Sequence, residues 1–509
     1  MRNLLTSPLP PFRNFSQIPL RIPGKLGNMK YTYTTILLLL SFISTHAVEK
    51  PNVLFFMSDD LNTALSGFGH PQCKTPHLDK LAARGVKFES MHCQYPICGA
   101  SRASLMTGLY PYTSGTLGNS GVNRNYNPDL VTMGEWFRGK GYRSVRVGKI
   151  YHMAIPMNII SGSTPYDDAK SWDEAYNIQA PEQNAEGKKV NWSPKDKGSQ
   201  RFESVEGEGG DDEHSEGRIA AKAVEMLGKL EGEPFFLAVG FIRPHVPLVA
   251  PKEYFGLYDR EAMVAPVVPE DDLDDVPQII RGYKANDTTY GVTPELHKGL
   301  LQAYYASVSY MDRQVGRVLK ALEEKGLAKN TIVVFSSDHG YLLGQHHKYQ
   351  KQHLFEESTR VPFIMSVPWL EGQHGGATQK VTELVDVFPT ITELMGMKAP
   401  AGLQGQSLVP LLKDTGTCEW KKTEAFTISR SGGESLRNEQ WRFNQWGHGD
   451  SGFELYDRVK DPGEFTNLAG NPEYTGIEEK LRKRLLEVRE AAGFKAELHK
   501  KKKDKKKKK

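Results

Sequence analysis

The sequence predicts an α/β fold, with a large, mostly parallel sheet covered on both faces by helices and a small antiparallel-sheet subdomain near the C-terminus. Three observations carry that expectation. Short strand-forming runs bounded by polar residues or glycine recur along the chain. Helical periodicity fills the intervals between them, and from about Pro400 the strand-like segments become short and closely spaced.

The runs are Asn52–Met57 (NVLFFM), Tyr142–Val147 (YRSVRV), Phe235–Phe241 (FFLAVGF) and Thr331–Phe335 (TIVVF). Runs that are apolar on successive residues suit strands buried on both faces, as parallel strands are. Helical patterns at Leu78–Arg84, Leu130–Lys140, Ile219–Leu230 and Leu300–Lys325 supply the crossovers that parallel neighbours need. Beyond Pro400, Glu424–Ser429, Trp441–Trp446 and Phe453–Tyr456 read as an antiparallel sheet, and Ile477–Ala491 as one helix packed on it. A chain of 509 residues exceeds one ordinary core, which divides it into a catalytic-sized domain over 48–399 and a subdomain over 400–495. With 39% hydrophobic and 25% charged residues, the composition excludes a fibrous or wholly disordered chain.

The two ends differ from the body. Read from Met29, MKYTYTTILLLLSFISTHA has a basic start, the apolar centre Ile36–Ile43 and small residues at Thr45 and Ala47. That is the pattern of a secretory signal over 29–47, with residues 1–28 an over-extended start. The apolar centre falls far short of the roughly 20 residues a spanning helix needs, so the expectation is an exported chain, periplasmic or secreted, that does not span the membrane. Lys500–Lys509 holds nine lysines and one aspartate, a self-repelling run expected to stay solvated within a disordered tail over 496–509. Without that run and the residues before Val48, 51 Lys and Arg face 60 Asp and Glu, so the formal +4 hides an acidic body. No basic patch interleaved with aromatics argues for nucleic acid. The four cysteines, Cys73, Cys93, Cys98 and Cys418, make no disulfide framework, and a Cys73–Cys93 bridge stays open.

In parallel α/β sheets the ligand site lies off the carboxyl ends of the strands. Asp59-Asp60 follows the first run, Lys149 and His152 the second, Arg243 and His245 the third, and Asp338-His339 the fourth. Four strand ends therefore deliver acids, bases and cations to one edge. Asp59, Asp60 and Asp338 offer the carboxylate oxygens that a hard cation such as Ca²⁺ or Mg²⁺ takes. Between Cys98 and Gly108 the chain reads CGASRASLMTG, with Cys98 and Arg102 on the opening turn of a helix, a setting that stabilises anions.

This last segment resembles the signature of the type I sulfatases, Cys-x-Pro/Ala-Ser-Arg with its trailing Thr-Gly. A second signature of that family is matched by GYRSVRVGKIYH at Gly141–His152, and SDDLN, SSDHG, VDVFPTITEL and ELYDRVKDPGEFTNLA extend the likeness over nearly the whole mature chain. Asp338-His339 and FFLAVGFIRPHVPLVAPKEYF are most similar to the iduronate-2-sulfatase branch, although Arg243 stands where a Lys is familiar.

The resemblance implies an alkaline-phosphatase-like sandwich and a sulfuric ester hydrolase. It implies conversion of Cys98 to formylglycine by a formylglycine-generating enzyme, and one Ca²⁺ held by Asp59, Asp60, Cys98, Asp338 and His339. It assigns catalytic roles to Cys98, Arg102, Lys149, His152, His245 and Lys351. Lys351 is chosen from GQHHKYQKQHLFEEST by its spacing after Asp338-His339, which leaves His346, His347 and Lys348 as surface residues. The implied partner is a sulfated carbohydrate, with a 2-O-sulfated uronic acid foremost, or a small sulfate ester. Two rivals stay open: a phosphatase, phosphodiesterase or phosphonate monoester hydrolase of the same fold, and a non-catalytic glycan-binding homologue.

Two stretches interrupt the pattern. The polar segment from Ser161 to Gly217 reads as an excursion over the rim of the site, and a second insertion carries the acidic Glu270–Asp275, which follows no buried strand and is not counted among metal ligands.

Overall fold

The computed structural model describes residues 50–196, 201–283, 285–370, 372 and 374–495. The expected signal segment over 29–47 and the tail over 496–509 lie outside the described residues.

Strands β1 (Asn52–Asp59), β2 (Val86–His92), β3 (Arg143–Gly148), β4 (Glu174–Tyr176), β5 (Phe235–Pro244), β6 (Thr331–Ser337), β7 (Arg360–Ser366), β8 (Gly376–Thr378) and β9 (Thr382–Glu383) form one nine-stranded sheet. Its order is β8-β2-β7-β6-β1-β5-β3-β4, and β9 also pairs with β2. The four runs read from sequence are β6, β1, β5 and β3, contiguous at the centre and mutually parallel. Only β7 runs against its neighbours, β2 and β6. Pro362 sits where the β7–β2 register shifts, between Val361 and Phe363, the position in a sheet that tolerates a residue without an N–H.

Alternation along the central strands builds two cores. Leu54 and Phe56 of β1 face one side with Leu237 of β5 and Val333 of β6, and Val53, Phe55 and Met57 face the other with Phe236 and Val334. Helices α1 (Pro76–Ala83), α2 (Cys98–Thr107), α3 (Met133–Gly139), α4 (Ser215–Lys229), α5 (Pro294–Glu324) and α6 (Val387–Leu394) cover them, α1, α4 and α5 on the first face and α2, α3 and α6 on the second. The long α5 starts where Thr293 accepts the Leu296 N–H at 3.3 Å and Pro294 takes the first helical position.

Toward the C-terminus, β10 (Glu424–Ser429), β11 (Gly433–Asn438), β12 (Trp441–Gln445) and β13 (Phe453–Asp457) form an antiparallel sheet, on which α7 (Thr475–Ala491) packs through Leu481 and Leu485. This sheet also anchors the segment leading into α2: Thr427 donates to the Cys93 carbonyl at 2.6 Å, and the Ile428 N–H to the Gln94 carbonyl at 2.9 Å. Cys73 and Cys93 are free buried thiols, so that bridge is absent. Among the described residues no helix is long and apolar enough to cross a membrane.

The polar excursion is more structured than its composition suggests. It contributes β4 and two strands, Gly187–Asn191 and Glu203–Gly207, that join Leu248–Pro251 in a three-stranded sheet.

Candidate active site

β1 ends on Asp59 and Asp60, which in a straight strand would point to opposite faces. Asp60 instead takes a left-handed backbone (φ 63°), and both carboxylates enter one cluster. That strained turn is held by Tyr304, whose hydroxyl donates to the Asp60 carbonyl at 2.8 Å, and by Asp338, whose Oδ1 accepts the Asp60 N–H at 3.3 Å. The ends of β3 and β5 approach closely because Gly240 has no Cβ; one there would lie 1.9 Å from the Lys149 carbonyl oxygen. Lys149 thereby reaches β1 and pairs with Asp59.

Cys98 opens α2, all of whose residues are buried. Gly99 follows because a Cβ there would meet the Gly118 carbonyl oxygen at 2.4 Å, and its N–H donates to Asn119 Oδ1 at 3.0 Å. One turn on, Arg102 ties three strand ends together. It donates to Asp338 Oδ2 at 2.8 Å, to the carbonyls of Lys149 (2.6 Å), Ile150 (3.1 Å) and Ser58 (3.1 Å), and lies 3.3 Å from Asp59 Oδ1. With its nitrogens engaged by protein acceptors, Arg102 fixes the geometry, while direct contacts to the Cys98 sulfur come from elsewhere. Lys351 Nζ stands 3.3 Å from Sγ, His339 Nε2 3.4 Å from it, and the His152 ring lies beside it.

Lys351 arrives by a route that depends on β7. Because β7 is antiparallel, its leading end, and the loop before it, lie at the edge where the parallel strands finish. Lys351 Nζ also donates to Asp60 Oδ1 at 2.6 Å. His245, beyond β5, places Nε2 3.7 Å from Asp60 Oδ2 while Nδ1 faces the Val246 carbonyl at 2.6 Å. All ten residues singled out from sequence thus meet in one connected cluster.

Residues 51–397 match the family described as sulfatase, and residues 344–491 match N-sulphoglucosamine sulphohydrolase, C-terminal. The chain belongs to the sulfatase family, hydrolases of sulfate esters. A sulfatase of Formosa agariphila is 33% identical over 446 residues, covering 83% of this chain and 84% of that protein. Human iduronate 2-sulfatase is 31% identical over 394 residues, 71% of this chain and 67% of that one. The phosphonate monoester hydrolase of Agrobacterium radiobacter superposes with a TM-score of 0.73 over 87% of this chain and 96% of that one, at 22% identity, a likeness of fold alone.

The electrostatics of this sulfatase's centre suit a nucleophile beside a cation. Burial would raise the Cys98 thiol, but Lys351, Lys149 and His339 outweigh it and hold the group well below the ordinary thiol value. Burial, opposed by Arg102 and His339 but reinforced by Asp59 and Cys98, pushes Asp338 up to about 7. Carboxylates crowded in this way are relieved by a hard divalent cation. Asp59, Asp60, Cys98 and His339 place ligand atoms within 4.8 Å of one another, and the buried Asp59 Oδ1 has no hydrogen-bond partner. His339 Nδ1 faces the Gly340 carbonyl at 2.9 Å, which directs Nε2 toward the cluster. The donor set fits a metal. Asp338 stands just behind it, with Oδ2 3.6 Å from His339 Nε2.

A cavity of about 390 Å³ opens beside the centre, lined by His152 and His245, by Asn119, and by Gln183, Arg201 and Glu203 from the polar excursion. That segment therefore forms one wall of the site.

Three expectations change. Arg243 is not a site cation: fully buried, it donates to Glu182 Oε2 at 2.5 Å and to the carbonyls of Val249 (3.0 Å) and His245 (2.8 Å), so it braces the turn that presents His245. His346 and Lys348 are not on the surface. His346 stacks on Phe355 at 3.6 Å and meets Asp272 Oδ2 at 3.1 Å, and Lys348 donates to the Arg281 carbonyl at 3.2 Å. Asp272, from the acidic insertion, is thus a buried ion-pair partner. Asn119 had no sequence signal: its role follows from a loop folding onto Gly99.

Proposed function

We propose that the chain is an exported, calcium-dependent sulfatase of sulfated carbohydrate, most specifically of a 2-O-sulfated uronic acid, acting through formylglycine made from Cys98. The observation that carries this reading is the convergence of Lys351, His339 and His152 on the Cys98 sulfur beside buried carboxylates. Sγ stands in for the oxygens that formylglycine carries on the same carbon chain. As its hydrate, that residue supplies two hydroxyls on one carbon. One, its proton released to solvent because Lys351, Lys149 and His339 favour the anion at this position, attacks sulfur as the alkoxide. Deprotonation of the other lets the resulting ester collapse to aldehyde and sulfate. Asp59, Asp60, residue 98 and His339, with Asp338 just behind them, would hold calcium, whose positive charge would offset charge on the sulfuryl oxygens.

The chain's own groups move the remaining protons. His152, beside the position of the nucleophile, takes the proton from the second hydroxyl. Burial lowers its pKa, which keeps the ring neutral and able to accept. The leaving alcohol takes a proton from His245 or Lys351. Lys149 and Lys351 add fixed positive charge where the sulfuryl oxygens lie. The substrate class is supported by the name of the human relative. Export is supported by the signal pattern before Val48, and maturation calls for a formylglycine-generating enzyme as partner.

The test is the mass of the tryptic peptide Phe88–Arg102 from protein produced with a formylglycine-generating enzyme. Aldehyde at position 98 is the expected result, and a persistent thiol overturns the nucleophile. Matured enzyme is then compared on 2-O-sulfated uronates and 6-O-sulfated glucosamine; faster release from the second overturns the substrate.

A further inference from the structure

A second cavity, of about 560 Å³, lies where the edge of the nine-stranded sheet meets the C-terminal sheet, and it shares no lining residue with the one beside His152. Four cations line it: Arg360 at the start of β7, Lys380 between β8 and β9, Arg437 on β11 and Arg458 just after β13. Its three carboxylates are already engaged. Glu439 pairs with Lys380 at 2.9 Å, and Glu89 with Lys87 at 3.5 Å. Glu356, buried, is shared by Arg437 (3.2 Å), Arg458 (3.4 Å) and Arg442.

Behind the lining, Glu464 pairs with Arg442 at 2.5 Å and Arg458 at 3.5 Å. Arg437, Arg442 and Arg458 thus share Glu356 and Glu464, with Glu357 and Asp461 also close to Arg458. Arg360 lies 3.9 Å from Glu356. Burial lowers Arg437, with Glu356 opposing and Arg442 and Arg458 reinforcing the shift. Arg437 is 8% exposed, and its Nη1 has no hydrogen-bond partner. A buried guanidinium donor without an acceptor is unfavourable, and an oxyanion is the ligand whose geometry matches its fork.

We propose that this cavity is a second anion site that takes a sulfate-type oxyanion, either free sulfate or a sulfate group carried on a sugar. Recognition comes from Arg437 and Arg458 at its base and Lys380 at its rim. The site performs no chemistry and binds whether or not Cys98 is matured.

Crystals of the full chain soaked in selenate, an anomalously scattering analogue of sulfate, test it. A selenate peak among Arg437, Arg458 and Lys380 is expected; a cavity empty at a concentration that fills the Cys98 centre overturns the proposal. In solution, calorimetric titration with inorganic sulfate should lose this site in Arg437→Gln. Should that variant fail to fold, Lys380→Ala, at the half-exposed rim, is expected to bind sulfate about tenfold more weakly at this site. Unchanged sulfate binding in Lys380→Ala together with no selenate in the cavity overturns the assignment. Displacement of selenate by a sulfated oligosaccharide assigns the site to glycan-borne sulfate, and displacement by free sulfate alone assigns it to the ion.

Discussion

The Cys98 centre and the Glu356 cluster are two buried concentrations of charge joined by one short stretch of chain, and they differ in what they leave over. Around Cys98, three carboxylates and a thiol held low face Arg102, Lys149, Lys351 and His339, and Asp59 Oδ1, 3.3 Å from Arg102, accepts no hydrogen bond. Around Glu356, three arginines share buried carboxylates, and one donor, Arg437 Nη1, is left without a hydrogen-bond partner. A buried polar group is retained only when something pairs with it. The bare acceptor Asp59 Oδ1 suits a cation at the first cluster, and the bare donor Arg437 Nη1 suits the anion proposed for the second.

The largest effect should come from removing the cation. Chelation followed by desalting is expected to lower sulfate-ester turnover by on the order of 10³-fold, since it withdraws several kcal/mol of charge stabilisation, with recovery on adding Ca²⁺. Full activity after exhaustive chelation, checked by metal analysis, would sink the first half of the comparison. Next, Glu356→Gln strips the arginine cluster of its shared carboxylate and should destabilise the fold by about 3 kcal/mol in denaturant unfolding. Added sulfate should restore part of that loss if the second cluster binds anions. The smallest effect concerns His152: because burial lowers its pKa, the acid limb of kcat/KM should fall below pH 6.5, the ordinary histidine value. A limb at or above 6.5 that vanishes in His152→Ala would show the base is tuned the other way.

Much of the first cluster was legible in the sequence because strand ends in a parallel sheet share one edge. Asp59, Lys149, His245 and Asp338 each follow a run whose apolar pattern announces a buried strand. What could not be read was strand direction. VPFIMS contains a proline, which argues against a strand, and its antiparallel course is what brings Lys351 to the centre. Arg243 misled for a related reason: position after a strand places a residue at the edge without saying whether its side chain turns toward the pocket or back to Glu182. GESLRN, which became β11, is too polar to announce itself, so Arg437 was invisible as a site residue. His346 and Lys348 look solvated by composition, and their burial depends on Asp272 and on the carbonyls of Arg281 and Tyr283, contacts that only the tertiary fold creates.

The stretch from Lys351 to Arg360 is pinned along its length. Lys351 is fixed to Asp60, the Gln352 N–H to the Pro96 carbonyl at 3.0 Å, the Glu356 N–H to Glu464 at 2.9 Å, and Arg360 enters β7. It behaves as a ruler between two charge clusters, and its length matters as much as its letters. Inserting or deleting one residue between Gln352 and Glu356 cannot be absorbed by a surface bulge, because both ends are anchored in the interior. Variation among relatives should therefore keep this spacing while changing the side chains between the anchors, whereas the polar excursion can vary in length and so redraw the cavity wall.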